Sequence, residues 1–361
     1  MVIELSQEKV LFMDIAFVLP NIPRNPGGGA KVVFQYADYM AAKGNHVTIY
    51  YMTDRFLKGR LPRTMRKTVG RIYSKLCPNW YKFQNDVEYR SAFDKTDIKC
   101  CDVLIATAVM TAFFVDEVTF KCRKYYFIQG FETFYTSEDE VLRSYQLNLE
   151  KIVISKWLRN IVYKNTGVEP IYIPNGIDLN IFRVTKRISE RGRHTIAFHY
   201  RKAPLKGCDY AIKTIEILRE KYDDLEVFVI GNVDCPDVLK GKCHYYKNIA
   251  AEEVARINNM ARVFMCTSIE EGFGLPGLEA MACGCALVTT NYAGAMEYAE
   301  HGVNALVSPV KAYESMADNV VMLFENDKLI IELSESGSCS SKNFDVNIMT
   351  KKFNDYIRGI V

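Results

Sequence analysis

Two carboxylates stand on either side of a glycine-rich segment in the second half of the chain. The segment reads E-G-F-G-L-P-G-L-E, with Glu271 at its start and Glu279 at its end. Gly272 and Gly274 permit a tight turn, and Pro276 suits the first position of a helix, where a missing N–H costs nothing. The free N–H groups at the start of such a helix attract phosphate, while a nearby carboxylate accepts hydrogen bonds from sugar hydroxyls. The segment therefore predicts a site for a nucleotide sugar.

Each carboxylate taken alone has a simpler interpretation, because an acidic residue in the first turn of a helix often only offsets the helix dipole. The longer run E-G-F-G-L-P-G-L-E-A-M-A-C-G, residues 271–284, is harder to explain in that way. It resembles the signature of glycosyltransferase family 4, a family of retaining enzymes. The resemblance implies an α/β protein with the GT-B fold, in which two Rossmann-like domains, each a doubly wound parallel sheet, enclose the donor in an interdomain cleft.

The resemblance also implies a role for each residue of this segment. Glu279 is expected to bind the ribose hydroxyls of the donor, and Glu271 is expected to bind hydroxyls of the transferred sugar. The neighbouring donor-binding positions are Gly272, Phe273, Gly274 and Leu275.

Hydrophobic runs and helical patterns alternate along the chain, which predicts parallel sheets covered by helices. Strands are expected at residues 10–19, 46–52, 103–106, 125–129, 151–154, 195–199, 225–231, 262–266 and 286–289, and helices at 30–43, 251–260 and 348–360. The turn I-P-N-G-I-D at residues 173–178 matches the point where the family crosses between domains. We therefore expect an acceptor-side domain over 1–172 and a nucleotide-sugar domain over 173–344, with a C-terminal helix in 345–361 that packs back on the first domain.

A second glycine-rich loop follows the first predicted strand. Such a loop is also a generic way to leave a strand tightly. Its position resembles the family loop that approaches the donor diphosphate, which implies this role for Gly28 and Gly29. The segment lacks G-x-G-x-x-G, which argues against a nicotinamide dehydrogenase.

Three further sites are implied by the resemblance. Gln129 ends the strand at 125–129, where many family members carry a histidine near the donor or the acceptor, and F-I-Q-x-F-E-x-x-Y is similar to a motif of some polysaccharide rhamnosyltransferases. Arg201 and Lys206 match the family's two cations that clamp the donor diphosphate. Two cations suit this role because negative charge grows on the diphosphate as it leaves the sugar. Asn248 and Ile249 fall in the segment that meets the nucleobase.

The composition is that of an ordinary globular protein, and 361 residues are enough for two cores. Neither a spanning segment nor a signal peptide is evident, so we expect a cytoplasmic protein. The eleven cysteines are interpreted as reduced thiols, and they lack the paired spacing of a zinc site. We expect no metal, no cofactor other than the nucleotide-sugar substrate, and no nucleic-acid partner.

One stretch has an unusual charge. Residues 55–75 contain eight Lys or Arg and no acidic residue, and Met65, Val69, Ile72, Tyr73 and Leu76 recur at helical spacing. The pattern predicts a basic amphipathic helix. One interpretation is a solvated surface helix, and the other is peripheral contact with an anionic membrane on its inner face, through Arg63, Arg66, Lys67 and Arg71.

The function expected from the resemblance is retaining transfer of a sugar from a nucleoside diphosphate, UDP or dTDP in preference to GDP. The acceptor is expected to be a glycan or a lipid-linked molecule in cell-surface polysaccharide synthesis. Glu271, Arg201 and Lys206 are the expected catalytic residues. Two alternatives remain open at this point: an epimerase or phosphorylase on the same fold, and a non-catalytic partner subunit.

Overall fold

The computed structural model describes residues 12–53, 61–76 and 80–360. Within these ranges the chain forms two parallel sheets with helices packed on them. The strands of the first sheet are β1 (Asp14–Leu19), β2 (His46–Met52), β3 (Val87–Ala92), β4 (Val103–Ala106), β5 (Arg123–Ile128), β6 (Glu150–Val153) and β7 (Ile171–Tyr172). The strands of the second sheet are β8 (Thr195–Tyr200), β9 (Glu226–Gly231), β10 (His244–Lys247), β11 (Val263–Cys266), β12 (Ala286–Thr290) and β13 (Ala305–Ser308).

The α-helices lie between these strands and after the last one. They are α1 (Gly28–Ala42), α2 (Arg63–Leu76), α3 (Val109–Asp116), α4 (Glu138–Tyr145), α5 (Lys156–Thr166), α6 (Cys208–Lys221), α7 (Ala251–Asn258), α8 (Leu275–Ala282), α9 (Tyr313–Glu325), α10 (Asp327–Ser341) and α11 (Val346–Arg358). The predicted helices at 30–43, 251–260 and 348–360 correspond to α1, α7 and α11 within about two residues at each end.

The strand orders confirm the predicted fold class. The first sheet runs β3-β2-β1-β4-β5-β6-β7, and the second runs β10-β9-β8-β11-β12-β13. In both sheets the order reverses beside the first strand, as in a doubly wound Rossmann-like sheet. Ligands of such sheets bind outside the carboxyl ends of the strands at this reversal, which here means the loops after β1 and β4 and after β8 and β11.

The central strands are hydrophobic on both faces because helices cover both sides of each sheet. All four residues of β4 and all four of β11 are buried. This explains why these strands appear in the sequence as short apolar runs without alternation.

The glycine-rich turn before α8 forms as predicted. Gly274 is the N-cap of the helix and has a φ of +91°, a conformation that favours glycine. A side chain at this position would also bring its Cβ within 2.0 Å of the Tyr292 hydroxyl. Pro276 lies in the first turn, and Gly284, with a φ of +75°, follows the end of the helix. Only glycine can satisfy both the conformation and the space at position 274.

The last helix, α11, packs on the first domain, here the first sheet and its helices. The ring of Phe353 stacks on Tyr36 of α1 with centroids 4.3 Å apart. Arg123, at the start of β5, donates from Nη1 to the carbonyl of Ile357 at 2.7 Å. The chain therefore returns to its first domain after completing the second.

The helix α2 lies where a basic amphipathic helix is predicted, and the residues of its apolar stripe differ in exposure. Gly70 faces the domain, because a Cβ there would lie 2.7 Å from the Thr53 hydroxyl and 2.9 Å from that of Ser91. This packing turns Met65 and Ile72 to the solvent, where they are 52% and 58% exposed. Val69 and Tyr73, which the prediction placed on the same stripe, are half-buried.

The predicted membrane-contact residues of α2 also separate into two groups. Lys67 pairs with Asp97 of its own domain at 2.9 Å, and the Arg66 guanidinium lies 5.4 Å from the centre of the Phe93 ring. Arg71 is exposed. The side chain of Arg63 and residues 55–60 of the predicted basic stretch lie outside the described part of the chain.

In the described part of the chain, no helix has both the length and the apolar character that a bilayer crossing requires.

Candidate active site

Two loops of the second domain meet at the carboxyl edge of its sheet. One follows β8 and carries Arg201 and Lys206, and the other follows β11 and carries Glu271. The strands β8 and β11 are neighbours, so their loops leave the sheet side by side. The Ile269 N–H donates to the Leu205 carbonyl at 2.8 Å, which ties one loop to the other.

This tie places a cation against the first carboxylate. Lys206 Nζ lies 3.1 Å from Glu271 Oε2, and the Ser268 hydroxyl donates to Glu271 Oε1. The Glu271 side chain is 14% exposed. Glu271 is therefore a largely buried carboxylate whose two oxygens are held by different partners.

Arg201 is anchored through its guanidinium to the sheet edge. Its Nη1 donates to the carbonyl of Tyr200 at 3.0 Å and to that of Ile230 at 3.2 Å. Burial lowers the pKa of Arg201, and the negative charges of Glu271 and Glu279 act in the opposite direction. The guanidinium therefore shares its surroundings with both carboxylates.

Glu279 has a partner that sequence analysis missed. Its Oε1 accepts from Lys31 Nζ at 2.9 Å, and the Glu279 side chain is only 8% exposed. Lys31 is the fourth residue of α1, in the first domain, so this ion pair joins the two domains. In the sequence, the position of Lys31 directly after the glycine-rich loop is the one sign of a role near the site. Nothing in the sequence shows that Glu279, 248 positions away, lies opposite Lys31.

The glycine-rich loops of both domains meet around Gln129. A Cβ on Gly272 would lie 1.9 Å from the Gln129 carbonyl oxygen, and a Cβ on Gly29 would lie 3.4 Å from Gln129 Oε1. That Oε1 atom is buried and has no hydrogen-bond partner among the described residues. Gln129 thus fills the space that the two glycines leave open.

Two further contacts hold the loop before α8 against the first domain. A Cβ on Gly28 would lie 3.8 Å from Leu275 Cδ1, and the Trp157 indole N–H donates to the Gly272 carbonyl at 3.3 Å. The structure therefore brings Gly28, Gly29, Gln129, Gly272 and Leu275 together where the domains meet.

His199 is a second residue that sequence analysis did not assign to the site. Neither of its ring nitrogens, both buried, has a partner within the described ranges. Burial lowers the pKa of His199 well below its usual range, and the charges of Arg201, Lys31 and Lys206 act in the same direction. The imidazole is therefore neutral near physiological pH. Its only sequence signal is its place two residues before Arg201.

Some predicted donor-site residues lie further from the cluster of Arg201, Lys206, Glu271 and Glu279, or face away from it. The Phe273 side chain is 2% exposed and packs against Tyr298 and Phe344, so only its backbone can face a ligand. Asn248 and Ile249 follow β10, the edge strand, two strands away from β8. Arg63, Arg66, Lys67 and Arg71 belong to α2, which packs on β3 at the edge of the first sheet.

Comparison with known proteins shows which family and which fold the chain resembles. Residues 184–338 match the family described as "Glycosyl transferases group 1". The crystal structure of the Anabaena protein HepE with UDP-glucose superposes with a TM-score of 0.74 at 16% identity, over 96% of this chain and 100% of that one. Sucrose-phosphate synthase from Thermosynechococcus elongatus gives a TM-score of 0.73 at 15% identity, over 96% and 98% of the two chains. These neighbours share the GT-B fold.

Curated relatives point to the same family. A GDP-mannose-dependent alpha-(1-6)-phosphatidylinositol monomannoside mannosyltransferase of Mycobacterium tuberculosis is 24% identical over 52% of this chain and 55% of its own. An uncharacterised glycosyltransferase of Methanocaldococcus jannaschii is 26% identical over 55% of this chain and 56% of its own. The chain spans about half the length of the curated relatives it matches. Residues 184–338 of its second domain are similar to the group 1 glycosyltransferases, and the predicted resemblance is confirmed at that level.

Proposed function

We propose that the protein is a retaining glycosyltransferase of family 4. It moves a sugar from a nucleoside-diphosphate sugar, with UDP or dTDP preferred over GDP, to a glycan or lipid-linked acceptor in cell-surface polysaccharide synthesis. One observation carries this proposal. Two cations and two carboxylates, namely Arg201, Lys206, Glu271 and Glu279, converge where α8 begins and where the domains meet.

The comparisons support the proposal without specifying the substrates. The Anabaena protein HepE was crystallised with UDP and with UDP-glucose. A Campylobacter jejuni relative, 26% identical over 31% of this chain and 30% of its own, is an N,N'-diacetylbacillosaminyl-diphospho-undecaprenol alpha-1,3-N-acetylgalactosaminyltransferase. The UDP-glucose bound to the first protein and the lipid-linked saccharide in the name of the second belong to the classes of substrate that we propose here.

In the proposed complex the donor lies across both loops of the second domain. Glu279 accepts hydrogen bonds from the ribose hydroxyls, and Glu271 accepts them from the transferred sugar. The backbone of residues 272–275 meets the sugar and the diphosphate, while Asn248 and Ile249 meet the base. Gly28 and Gly29 bring the bare backbone of the first domain to the diphosphate, as their proximity to Gln129 and Leu275 permits.

The proposed chemistry relies on charge that develops on the leaving group. As the bond from the anomeric carbon to the phosphate oxygen breaks, the electron pair goes to the diphosphate. Arg201 and Lys206 then bind it more strongly than they bind the ground state, which lowers the barrier. These two cations and the N-terminus of α8 supply the positive charge, so we propose that the reaction is metal-independent.

The acceptor hydroxyl attacks from the face that the diphosphate leaves. The new bond forms between the acceptor oxygen and the anomeric carbon, and a phosphate oxygen of the leaving group takes the hydroxyl proton. Configuration is therefore retained without a covalent sugar–enzyme intermediate. His199 is neutral and buried, and it is given no role in proton transfer.

We also propose that the protein acts in the cytoplasm and docks peripherally on the inner face of the cell membrane. The outward face of α2 carries Met65 and Ile72 beside the exposed cations Arg71 and Lys75. Apolar side chains beside basic ones suit the surface of an anionic bilayer. Lys67, held by Asp97, takes a smaller part in this contact than the sequence predicts.

Thermal unfolding with UDP, dTDP and GDP tests the donor class. A ligand at 100 times its dissociation constant stabilises a protein by about 2.7 kcal/mol, so UDP or dTDP should raise the Tm by several degrees. Release of the nucleoside diphosphate from the matching sugar donor, stimulated by a glycolipid extract, then tests transfer. Binding without any release would favour a non-catalytic subunit, and conversion of the donor sugar without transfer would favour an epimerase.

A further inference from the structure

The ion pair between Lys31 and Glu279 connects the first domain to the proposed donor site. The Lys31 ammonium lies 2.9 Å from Glu279 Oε1, and both side chains are largely removed from solvent, with 28% and 8% exposed. The Lys31 ammonium also lies 5.3 Å from the centre of the Phe182 ring, a distance that permits a cation–π contact. Lys31 is therefore placed by two contacts rather than by the carboxylate alone.

The pair uses only part of the carboxylate. Lys31 donates to Glu279 Oε1, and no described side chain donates to Glu279 Oε2. A carboxylate has about four acceptor positions on its two oxygens, so Oε2 can accept from a ligand while Lys31 stays in place. Lys31 thereby sets the direction in which Oε2 points.

We propose that Lys31 is a positioning residue of the donor site, which orients Glu279 toward the ribose and makes donor affinity depend on contact between the domains. This inference rests on the proposed function, because it assumes that Glu279 binds a ribose. The proposed donor loop belongs to the second domain. Lys31, which holds the Glu279 carboxylate of that domain, belongs to α1 of the first domain. The start of α1 also approaches the loop before α8, because a Cβ on Gly28 would lie 3.8 Å from Leu275 Cδ1.

Equilibrium binding to the full-length protein tests the proposal. The probes are the nucleoside diphosphate that binds the wild type most tightly and its 2′,3′-dideoxy analogue, which lacks the hydroxyls that Glu279 would bind. Lys31→Met should weaken binding of the natural nucleotide by about tenfold, in the range for a hydrogen bond to a charged group. It should leave binding of the dideoxy analogue unchanged, and Lys31→Arg should restore most of the loss.

A double variant and a matched control complete the design. In the Glu279→Gln background, Lys31→Met should cause little further loss, because both changes remove the same contact. Lys43→Met, at the exposed C-terminal end of the same helix, should bind both nucleotides as the wild type does.

Three results would overturn the inference. Equal weakening of both nucleotides by Lys31→Met would mean that Lys31 acts on the phosphates or the base. A lower Tm with unchanged nucleotide affinity, for Lys31→Met and Lys31→Arg alike, would make the ion pair a structural contact only. A wild type that binds none of the nucleotides would remove the proposed function as well, and this result is distinct from the other two.

Discussion

Lys206 Nζ lies 3.1 Å from Glu271 Oε2, although the two residues follow different strands of the second sheet. The pairing depends on the backbone bond from Ile269 to Leu205, which holds the two loops together. The carboxylate therefore offsets the charge of the lysine. Under the proposed function, this ion pair links the carboxylate that would bind the transferred sugar to the cation that would bind the leaving diphosphate.

Replacement of the cations should affect turnover more than binding. Lys206→Met or Arg201→Met should lower kcat by roughly tenfold or more, the range for loss of one transition-state contact. The KM for the donor should change less. Steady-state release of nucleoside diphosphate measures both constants. Lys202→Met, an exposed lysine of the same loop, is the control and should behave as wild type. Full turnover by both variants would contradict the assignment of Arg201 and Lys206 to the donor diphosphate.

A second contact between the domains should contribute to stability. Glu297 Oε1 accepts from the N–H of Lys156, at the start of α5, at 2.5 Å, and its Oε2 accepts from the Tyr172 hydroxyl at 2.7 Å. Glu297→Ala removes, from a half-buried side chain, the acceptor of the first α5 N–H and that of the Tyr172 hydroxyl. We expect a loss of about 1–2 kcal/mol in the free energy of unfolding, measured in urea.

The control for this prediction is Glu300→Ala, since Glu300 is exposed and lies in the same segment. It should change stability by less than about 0.5 kcal/mol. Equal losses in the two variants would mean that the Glu297 contacts contribute nothing specific.

Glu132 should make stability depend on pH. Burial raises the pKa of this carboxyl from 4.5 to about 7, although the Val109 N–H, which donates to Oε2 at 2.9 Å, acts in the opposite direction. Between pH 4.5 and pH 7, Glu132 is ionised in the unfolded chain but still protonated in the folded protein. The free energy of unfolding of the wild type therefore falls as the pH rises toward 7. Above that the loss is constant, at most about 3 kcal/mol.

Glu132→Gln does not titrate and keeps an oxygen for Val109. Its stability relative to wild type should therefore increase by up to about 3 kcal/mol between pH 4.5 and pH 8, measured by denaturation at each pH. Glu138→Gln, at an exposed carboxylate, serves as the control. A difference between wild type and Glu132→Gln that does not change with pH would contradict the raised pKa.

The membrane proposal is tested on the outward face of α2. Wild type should sediment with vesicles that contain anionic lipid at low salt and not with neutral vesicles, since each basic residue near an anionic surface contributes about 1 kcal/mol. The quadruple change of Met65, Arg71, Ile72 and Lys75 to Ser should abolish sedimentation and leave nucleotide binding intact. Lys67→Ser, at a lysine already paired with Asp97, should have a smaller effect. Equal sedimentation of the quadruple variant would make α2 an ordinary solvated helix.

The parts of the fold that depend on local sequence were predictable. The strands at 46–52 and 103–106 coincide with β2 and β4, and the turn at Gly274 and the end of α8 before Gly284 follow from glycine and proline preferences. The edge strand β3 was missed because its sequence V-E-Y-R-S-A mixes charged and polar residues, as an edge strand that is only partly buried can.

Pairings between distant positions were not predictable. The sequence indicates that Glu279 has a functional role, but only the fold brings Lys31 opposite it. The same limit applies to α2, where the helical spacing is correct but the inward face is set by Gly70 against Thr53 and Ser91. Periodicity defines the faces of a helix, and tertiary packing decides which face is buried.

The anomeric configuration of the product tests the central claim most directly. The wild type is incubated with the donor that it binds and an acceptor extract, and the anomeric signal of the transferred sugar is followed by NMR from the first turnovers. Same-face attack at the site formed by Glu271, Arg201 and Lys206 predicts the configuration of the donor. Product with the opposite configuration would contradict both the mechanism and the family 4 assignment.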